Sequence, residues 1–384
     1  MRVLLVNRFF GNYHVPTGRM LGDLSAELIR KGHQITVLTS FCASADKAIE
    51  GLQLDHVKIK ILWDGGRWGR SASWVLFWTQ AMVQIPLMKW DCCIVLTDPP
   101  FVVVAAYFAK ILYDKRKIYW WPMDLYPEAL VADKLIPKGG TVERILRFVN
   151  NVGIKALDGV ISFGARQEER LRTYTGWKDD PSFSLVVSPW DNRPLGCCTS
   201  RAENKAIKRF GWQDKTVVLY AGNLGRAHSY KEIIEAARIL QEKGEKKWVF
   251  AFFCRGAKRA ALKKEGETLS NVLVCDYMQP VETVDMLHAA DIHLITMSES
   301  WKGIVVPSKL YGVLKTSAPV LFIGPEDSET AEEIKALDAG ISLVNNCGGR
   351  AVADALRKLA KRRVFAKNLE SSGPRKIAEF IMAR

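Results

Sequence analysis

Residues 295–324, ITMSESWKGIVVPSKLYGVLKTSAPVLFIG, decide how the chain is read. The apolar opening ends in a small polar cluster, Ser298-Glu299-Ser300, followed by Trp301-Lys302-Gly303 and the β-branched triplet Ile304-Val305-Val306. Pro307-Ser308 suits a helix start, residues 309–315 continue the helix, and residues 319–324 read as a buried strand. The predicted order is strand, glycine loop, helix N-terminus, strand. Such an order aims backbone N–H groups and a positive dipole end at one point, which suits an anionic ligand. Lys309 in the first turn opposes that dipole. It is therefore either a cation that shares the site with an anion or a solvated lysine at a frayed helix end.

The same alternation extends in both directions. Strands are predicted at residues 3–6, 35–38, 92–96, 117–121, 158–162 and 185–188, with a helix between the first two and polar loops at the strand ends. A polar linker at about residues 191–215 holds Asn192, Pro194, Gly196 and a charged helix at 200–210. Strand-helix alternation then resumes, with strands at 216–220, 249–253, 272–274, 292–295 and 320–323. This predicts two α/β domains of mostly parallel sheet, residues 1–190 and 191–373, with a closing helix at 374–384 that docks back on the first. Two such domains leave a cleft between their strand ends, the default site.

At 384 residues the chain can bury two cores. No stretch has eighteen uninterrupted apolar residues, and residues 74–88, interrupted by Gln80, Gln84 and Pro86, read as a core or interfacial helix. The short apolar run at the N-terminus reads as a first strand and not as a signal peptide. The eight cysteines form no CxxC pair, so reduced thiols in the cytoplasm are expected. The net charge of +14 points to nucleic acid, an anionic membrane or an anionic substrate. Basic residues are dispersed and no nucleic-acid motif accompanies them, so nucleic acid is not the expected partner. Arg67 and Arg70 border Trp63, Trp68, Trp74 and Trp78, a combination that favours peripheral contact with anionic lipid.

Several loops carry candidate chemistry. Gly222-Asn223-Leu224-Gly225 follows a strand and leads toward a helix, either as a phosphate-approaching loop or as a plain tight turn. Arg255 stands with Lys258 and Arg259 around Gly256, either at a phosphate or on a solvated surface. Asp124, at a strand end beside Trp120 and Trp121, either binds sugar hydroxyls and orients a nucleophile, with the aromatics stacked on a sugar ring, or caps its own turn. Glu128 reads as helix N-terminal electrostatics. His14 is placed to touch a substrate, and His33 reads as structural. No residue set has metal-ligand spacing, so no metal is expected.

Taken in order, MRVLLVNRFFGNYH, GDLSAELIRKGHQITVLTS, DLYPEALVADKLI, YAGNLG, VLVCDYMQPVETVDMLHAADIHLI, GIVVPSKLYGVL and PVLFIG resemble a GT-B glycosyltransferase of family four. Within that family the resemblance is to the bacterial branch that builds surface polysaccharides on lipid-linked acceptors. It implies two Rossmann-like, doubly wound domains, a nucleotide-sugar donor held by the C-terminal one, an acceptor held by the N-terminal one, and retaining transfer without a metal or other cofactor. It further implies a cytoplasmic protein, peripheral on the inner face of the membrane.

Carried onto this chain, the resemblance sets Gly222, Asn223, Gly225, Gly303, Ile304, Val305, Ser308 and Lys309 toward the donor diphosphate, with Arg255 as a second cation. Tyr277 and Met278 would border the nucleobase, and Glu299 is the candidate for the ribose. Asp124, Gly18 and His14 would serve the acceptor side, with Asp124 and Lys309 in the catalytic roles. Two departures accompany the match. The basic residues usual in the 222 loop are replaced by Asn223 and His228, and the usual Glu-x7-Glu pair falls on Ile304 and Gly312. Lys309 is then the first choice for the cation at the diphosphate. Two other functions fit the same fold: a sugar-nucleotide epimerase, and a catalytically silent sugar-nucleotide-binding partner subunit.

Overall fold

The computed structural model describes residues 1–11, 15–42, 55–58, 66–113, 115–193, 195, 200–276, 280–364 and 372–383. The chain divides into two compact units. The first comprises Met1–Asp191, Gly303–Val305 and Ser371–Arg384, the second Asn192–Lys302 and Val306–Glu370.

Seven parallel strands form the sheet of the first unit: β1 (Arg2–Val6), β2 (Gln34–Thr39), β3 (Asp55–Lys58), β4 (Cys92–Val95), β5 (Lys117–Trp120), β6 (Gly159–Ser162) and β7 (Ser184–Val186). Their order is β3-β2-β1-β4-β5-β6-β7. The strands β1, β4 and β6 are short apolar runs whose residues are buried almost throughout, as central parallel strands covered on both faces must be. The chain winds outward from β1 and then restarts beside it at β4, so the direction of winding reverses between these two strands. Helix α1 (Pro16–Arg30) follows β1 and packs with the closing helix Gly373–Met382. Tyr119 of β5 meets Phe380 edge-on, with ring centroids 5.6 Å apart, and its hydroxyl donates to the Ile381 carbonyl at 3.4 Å. A second layer consists of α2 (Gly66–Leu87), α3 (Val103–Leu112) and α5 (Thr141–Lys155), with α3 packed against both neighbours; the short α4 (Glu128–Ala132) precedes α5.

Six parallel strands form the second sheet: β8 (Thr216–Asn223), β9 (Trp248–Arg255), β10 (Val272–Cys275), β11 (Ile292–Thr296), β12 (Val320–Ile323) and β13 (Gly340–Leu343), in the order β10-β9-β8-β11-β12-β13. The winding again reverses beside the unit's first strand, here between β8 and β11. Helices Lys231–Glu242 and Gly348–Leu359 pack side by side over a core that includes Phe250, Phe252, Ile292, Leu321 and Leu356.

Three sequence expectations change. Strands β3 and β13 were not anticipated, because DHVK and GISL, both at sheet edges, lack a continuous apolar run. The charged linker helix is Lys205–Phe210 and does not begin at 200, because the Asn204 side chain caps the N–H groups of Ala206 and Ile207 at 2.9 and 3.0 Å. The helix expected at 309–315 is the five-residue Lys309–Val313, and Ser308 makes no side-chain cap bond. A helix this short has little macrodipole, so any anion site here rests on side-chain charge and loop N–H groups.

Candidate active site

In doubly wound sheets ligands bind at the carboxyl ends of the strands, where the winding reverses. In the second unit that point lies beyond Asn223 of β8 and Thr296 of β11. Lys309 reaches it. Its ammonium donates to the Tyr220 hydroxyl at 2.7 Å and lies 3.9 Å from the centroid of that ring. The Tyr220 hydroxyl in turn donates to the Asn223 carbonyl at 2.9 Å, which commits its one proton and leaves its lone pairs to the lysine. The Tyr220 side chain is fully buried. Gly222 stands directly under the ammonium: a Cβ there would come within 3.7 Å of Lys309 Nζ, and φ of +144° suits only glycine.

No carboxylate lies within ion-pair distance of Lys309 among the described residues. Burial lowers its ammonium from the ordinary lysine value to about 7, opposed only by the nearby Cys254 thiol. His228 shares the spot: its Nδ1 lies 2.5 Å from the Thr296 carbonyl oxygen and its ring meets Tyr220 edge-on at 6.1 Å. Burial first, and the Lys309 and Lys258 charges next, hold the His228 imidazole well below the usual histidine range, so it stands neutral. Lys258 is turned onto the loop itself, donating to the carbonyls of Arg226 and His228. This loop is closed by the Leu224 N–H on the Arg255 carbonyl at 2.6 Å and by the Ser298 N–H on the Ala227 carbonyl at 2.8 Å.

The structure thus brings together Gly222, Asn223, Gly225, Lys309 and the start of the 298–301 turn. Arg255 lies beside Asn223 in strand register, its side chain exposed. Glu299 is exposed in the single 3-10 turn Glu299–Trp301, and Ser308 is partly buried before Lys309. Gly303, Ile304 and Val305 group with the first unit, where the Ile304 carbonyl accepts the Leu125 N–H at 3.2 Å. Tyr277 and Met278 lie outside the described residues.

In the first unit the winding reverses beyond Val6 of β1 and Val95 of β4, and acidic and basic residues meet there. The buried Arg8 guanidinium pairs with Asp98 at 3.1 Å and donates to Ser73 Oγ at 2.6 Å. Next to this pair, the loop after β5 carries Asp124. Thr97 Oγ1 accepts the Met123 and Asp124 N–H groups at 3.0 and 3.3 Å, and Gln167 donates to the Pro122 carbonyl at 3.3 Å. Asn150 holds the Tyr126 carbonyl at 2.5 Å and the Tyr174 hydroxyl at 3.2 Å. Tyr174 donates to Glu128 at 2.7 Å, and Arg147 pairs with the same carboxylate at 2.5 Å.

Asp124 itself is exposed, and its carboxylate accepts no hydrogen bond among the described residues, so it does not cap its turn. Surrounding protein thins its water shell, and this together with the Asp98 charge raises its carboxyl to about 6. Trp120 and Trp121, expected to stack on a sugar, are instead core residues: Trp121 is fully buried and stacks on Trp190 at 5.5 Å. Gly18 lies on α1, where a Cβ would approach the Gly11 carbonyl oxygen to 3.3 Å, so the helix runs tight against that loop. His14 lies outside the described residues. Sequence reasoning missed Tyr220 and the Arg8–Asp98 pair. The available signals were a tyrosine two residues before Gly222 and an arginine two residues after the first strand.

No group of His, Cys, Asp and Glu among the described residues could hold a metal. No family model matches the chain. It is 24% identical over 213 residues to a probable glycosyltransferase, WbjE, of Pseudomonas aeruginosa, a match covering 55% of this chain. The chain spans about half of that relative's length, 52%. Among solved structures it resembles WaaG, a glycosyltransferase involved in lipopolysaccharide biosynthesis, with a TM-score of 0.70 at 14% identity over 100% of both chains. It also resembles HepE of Anabaena in complex with UDP-glucose, with a TM-score of 0.64 at 12% identity over 99% of this chain and 94% of that one. With its two doubly wound parallel sheets, the chain has the GT-B fold, two Rossmann-like domains in one polypeptide.

Proposed function

We propose that the protein is a retaining glycosyltransferase of family four, moving a sugar from a uridine diphosphate sugar to a lipid-linked saccharide in surface polysaccharide biosynthesis. Residues 1–190 would hold the acceptor and 191–373 the donor. The observation that carries this reading is Lys309, a partly buried cation at the strand ends of the second sheet whose ammonium has, among the described residues, a neutral tyrosine as its hydrogen-bond partner. A diphosphate would supply the missing anion. The UDP-glucose in HepE and the lipopolysaccharide role of WaaG support the donor and pathway classes.

The chemistry follows from the geometry. As the glycosidic bond to the diphosphate lengthens, negative charge gathers on the departing oxygens. An ammonium held in place beforehand by Tyr220, in surroundings of lowered dielectric, stabilises that charge without reorganising. The missing side chain at Gly222, near the end of β8, leaves the backbone beside the Lys309 ammonium bare for phosphate, and Arg255, Asn223, Gly225 and Ser308 are candidates to line the site. Glu299 is proposed for the ribose, Tyr277 and Met278 for the base. Asp124 would hold an acceptor or sugar hydroxyl, with Gly18 and His14 beside it. No metal is needed in this scheme, and the enzyme would work in the cytoplasm against the inner face of the membrane.

The test is a donor panel with purified protein and a lipid-linked saccharide acceptor, with nucleoside diphosphate release and glycosylated product both measured. Net transfer that survives a chelator, with the anomeric configuration kept, is expected. Release without transfer, or interconversion of donor sugars, would contradict it.

A further inference from the structure

The helical layer of the first unit has an outer side that nothing among the described residues covers. Residues 71–88, most of α2, contain no charged side chain, and Val75, Val83 and Leu87 recur on one helical stripe facing outward. Ile111 and Leu112 on α3 and Ile145 and Phe148 on α5 continue this apolar surface. All seven side chains are between 57% and 76% exposed. Because α3 packs against both α2 and α5, the residues lie on adjoining helices of one layer. An apolar surface this broad is unusual on a soluble protein unless something binds it.

Charge indicates the occupant. In sequence α2 carries two Lys or Arg, α3 one and α5 three, against a single acid, Glu143; of these, Lys110 pairs with Asp158 and Arg147 with Glu128. Arg144 and Lys155 stand exposed on α5, and Lys89 just past α2. A second copy would bring like charges together in a protein of net charge +14. An anionic bilayer accepts both the apolar side chains and the basic rim. No helix among the described residues is long and apolar enough to cross a membrane, so contact would be lateral. Two of the tryptophans expected to make such contact pack against the unit itself: Trp74 meets Tyr126 edge-on at 6.3 Å, and the Trp78 indole donates to the Phe101 carbonyl at 3.3 Å. Trp63 lies outside the described residues.

We infer that the outer face of α2, α3 and α5 is the surface by which the protein lies on an anionic phospholipid membrane. The inference rests on the proposed lipid-borne acceptor for its purpose, and on the exposed side chains and charge for its evidence.

The experiment is flotation of the full chain with vesicles of phosphatidylglycerol and phosphatidylethanolamine in equal parts, against vesicles of phosphatidylcholine alone. Wild type should float with the anionic vesicles at low salt. The double variant Ile111→Asp, Phe148→Asp should bind at least about tenfold more weakly. Arg144→Glu should cost about fivefold or more. Thermal stabilisation by a uridine diphosphate sugar should be the same in all three proteins. Equal flotation of variants and wild type, no flotation of wild type, or a wild-type dimer that the aspartates split would each overturn the assignment. Absence of any donor stabilisation in wild type would instead remove the proposed activity and leave flotation to decide the face.

Discussion

The two sheets share one winding, reversing beside their first strand, yet what stands at the two reversal points is opposite. The first unit presents an acid, Asp124, with its carboxyl raised to about 6 and no cation paired to it among the described residues. The second presents a base, Lys309, with its ammonium lowered to about 7 and no acid paired to it among the described residues. One architecture thus carries two chemistries, set by a few side chains at the strand ends. The supports differ as well. Asp124 hangs from a backbone loop pinned by Thr97, Gln167 and Asn150, while Lys309 is held through its own head group by Tyr220.

Removing one side of this contrast should give the largest effect. Lys309→Ala is expected to lower kcat/KM by about two to three orders of magnitude, roughly 3 to 4 kcal/mol. Turnover like wild type would take Lys309 out of the mechanism. Asp124→Asn should reduce kcat about a hundredfold.

The two variants should also divide the pH profile. Below about 6 the Asp124 carboxyl takes up a proton, and above about 7 Lys309 loses its own, so kcat/KM should peak between those values. Asn at 124 should erase the acid limb. Arg at 309, which keeps its charge, should push the alkaline limb outward. A profile with the limbs unchanged in both variants would assign them elsewhere.

A third prediction separates support from chemistry. Glu128→Ala leaves Arg147 and Tyr174 without their shared acceptor, and should cost about 2 to 3 kcal/mol in urea denaturation, below a fully buried pair because Arg147 is partly exposed. The smallest effect is Tyr220→Phe, which frees Lys309 while keeping the ring, with about a fivefold loss of kcat/KM, roughly 1 kcal/mol.

How much of this was legible in the sequence follows from the physics of each element. Central strands such as CCIV and VLFI declare themselves because both faces are buried. Edge strands that lack an apolar run, such as DHVK and GISL, do not. The same burial misled the reading of Trp120 and Trp121, where an apparent sugar platform is sheet core. Lys309 drew notice because a cation at a helix start is locally unfavourable, and that signal survives although the helix is only one turn and a half. Its holder was invisible: Tyr220 lies 89 positions away in the chain, and Arg8 and Asp98 are 90 apart. Long-range side-chain pairs leave no local pattern.

The most direct measurement is the proton balance of nucleotide binding. Calorimetry of uridine diphosphate binding at about pH 8, repeated in buffers of differing ionisation enthalpy, reports protons taken up. Free Lys309 is mostly neutral there and a diphosphate restores its charge, so uptake approaching one proton is expected. That uptake should fade toward about pH 6 and vanish in Lys309→Met. Binding with no proton uptake at either pH, or uptake undiminished in Lys309→Met, would contradict the assignment of Lys309 as the cation at the diphosphate.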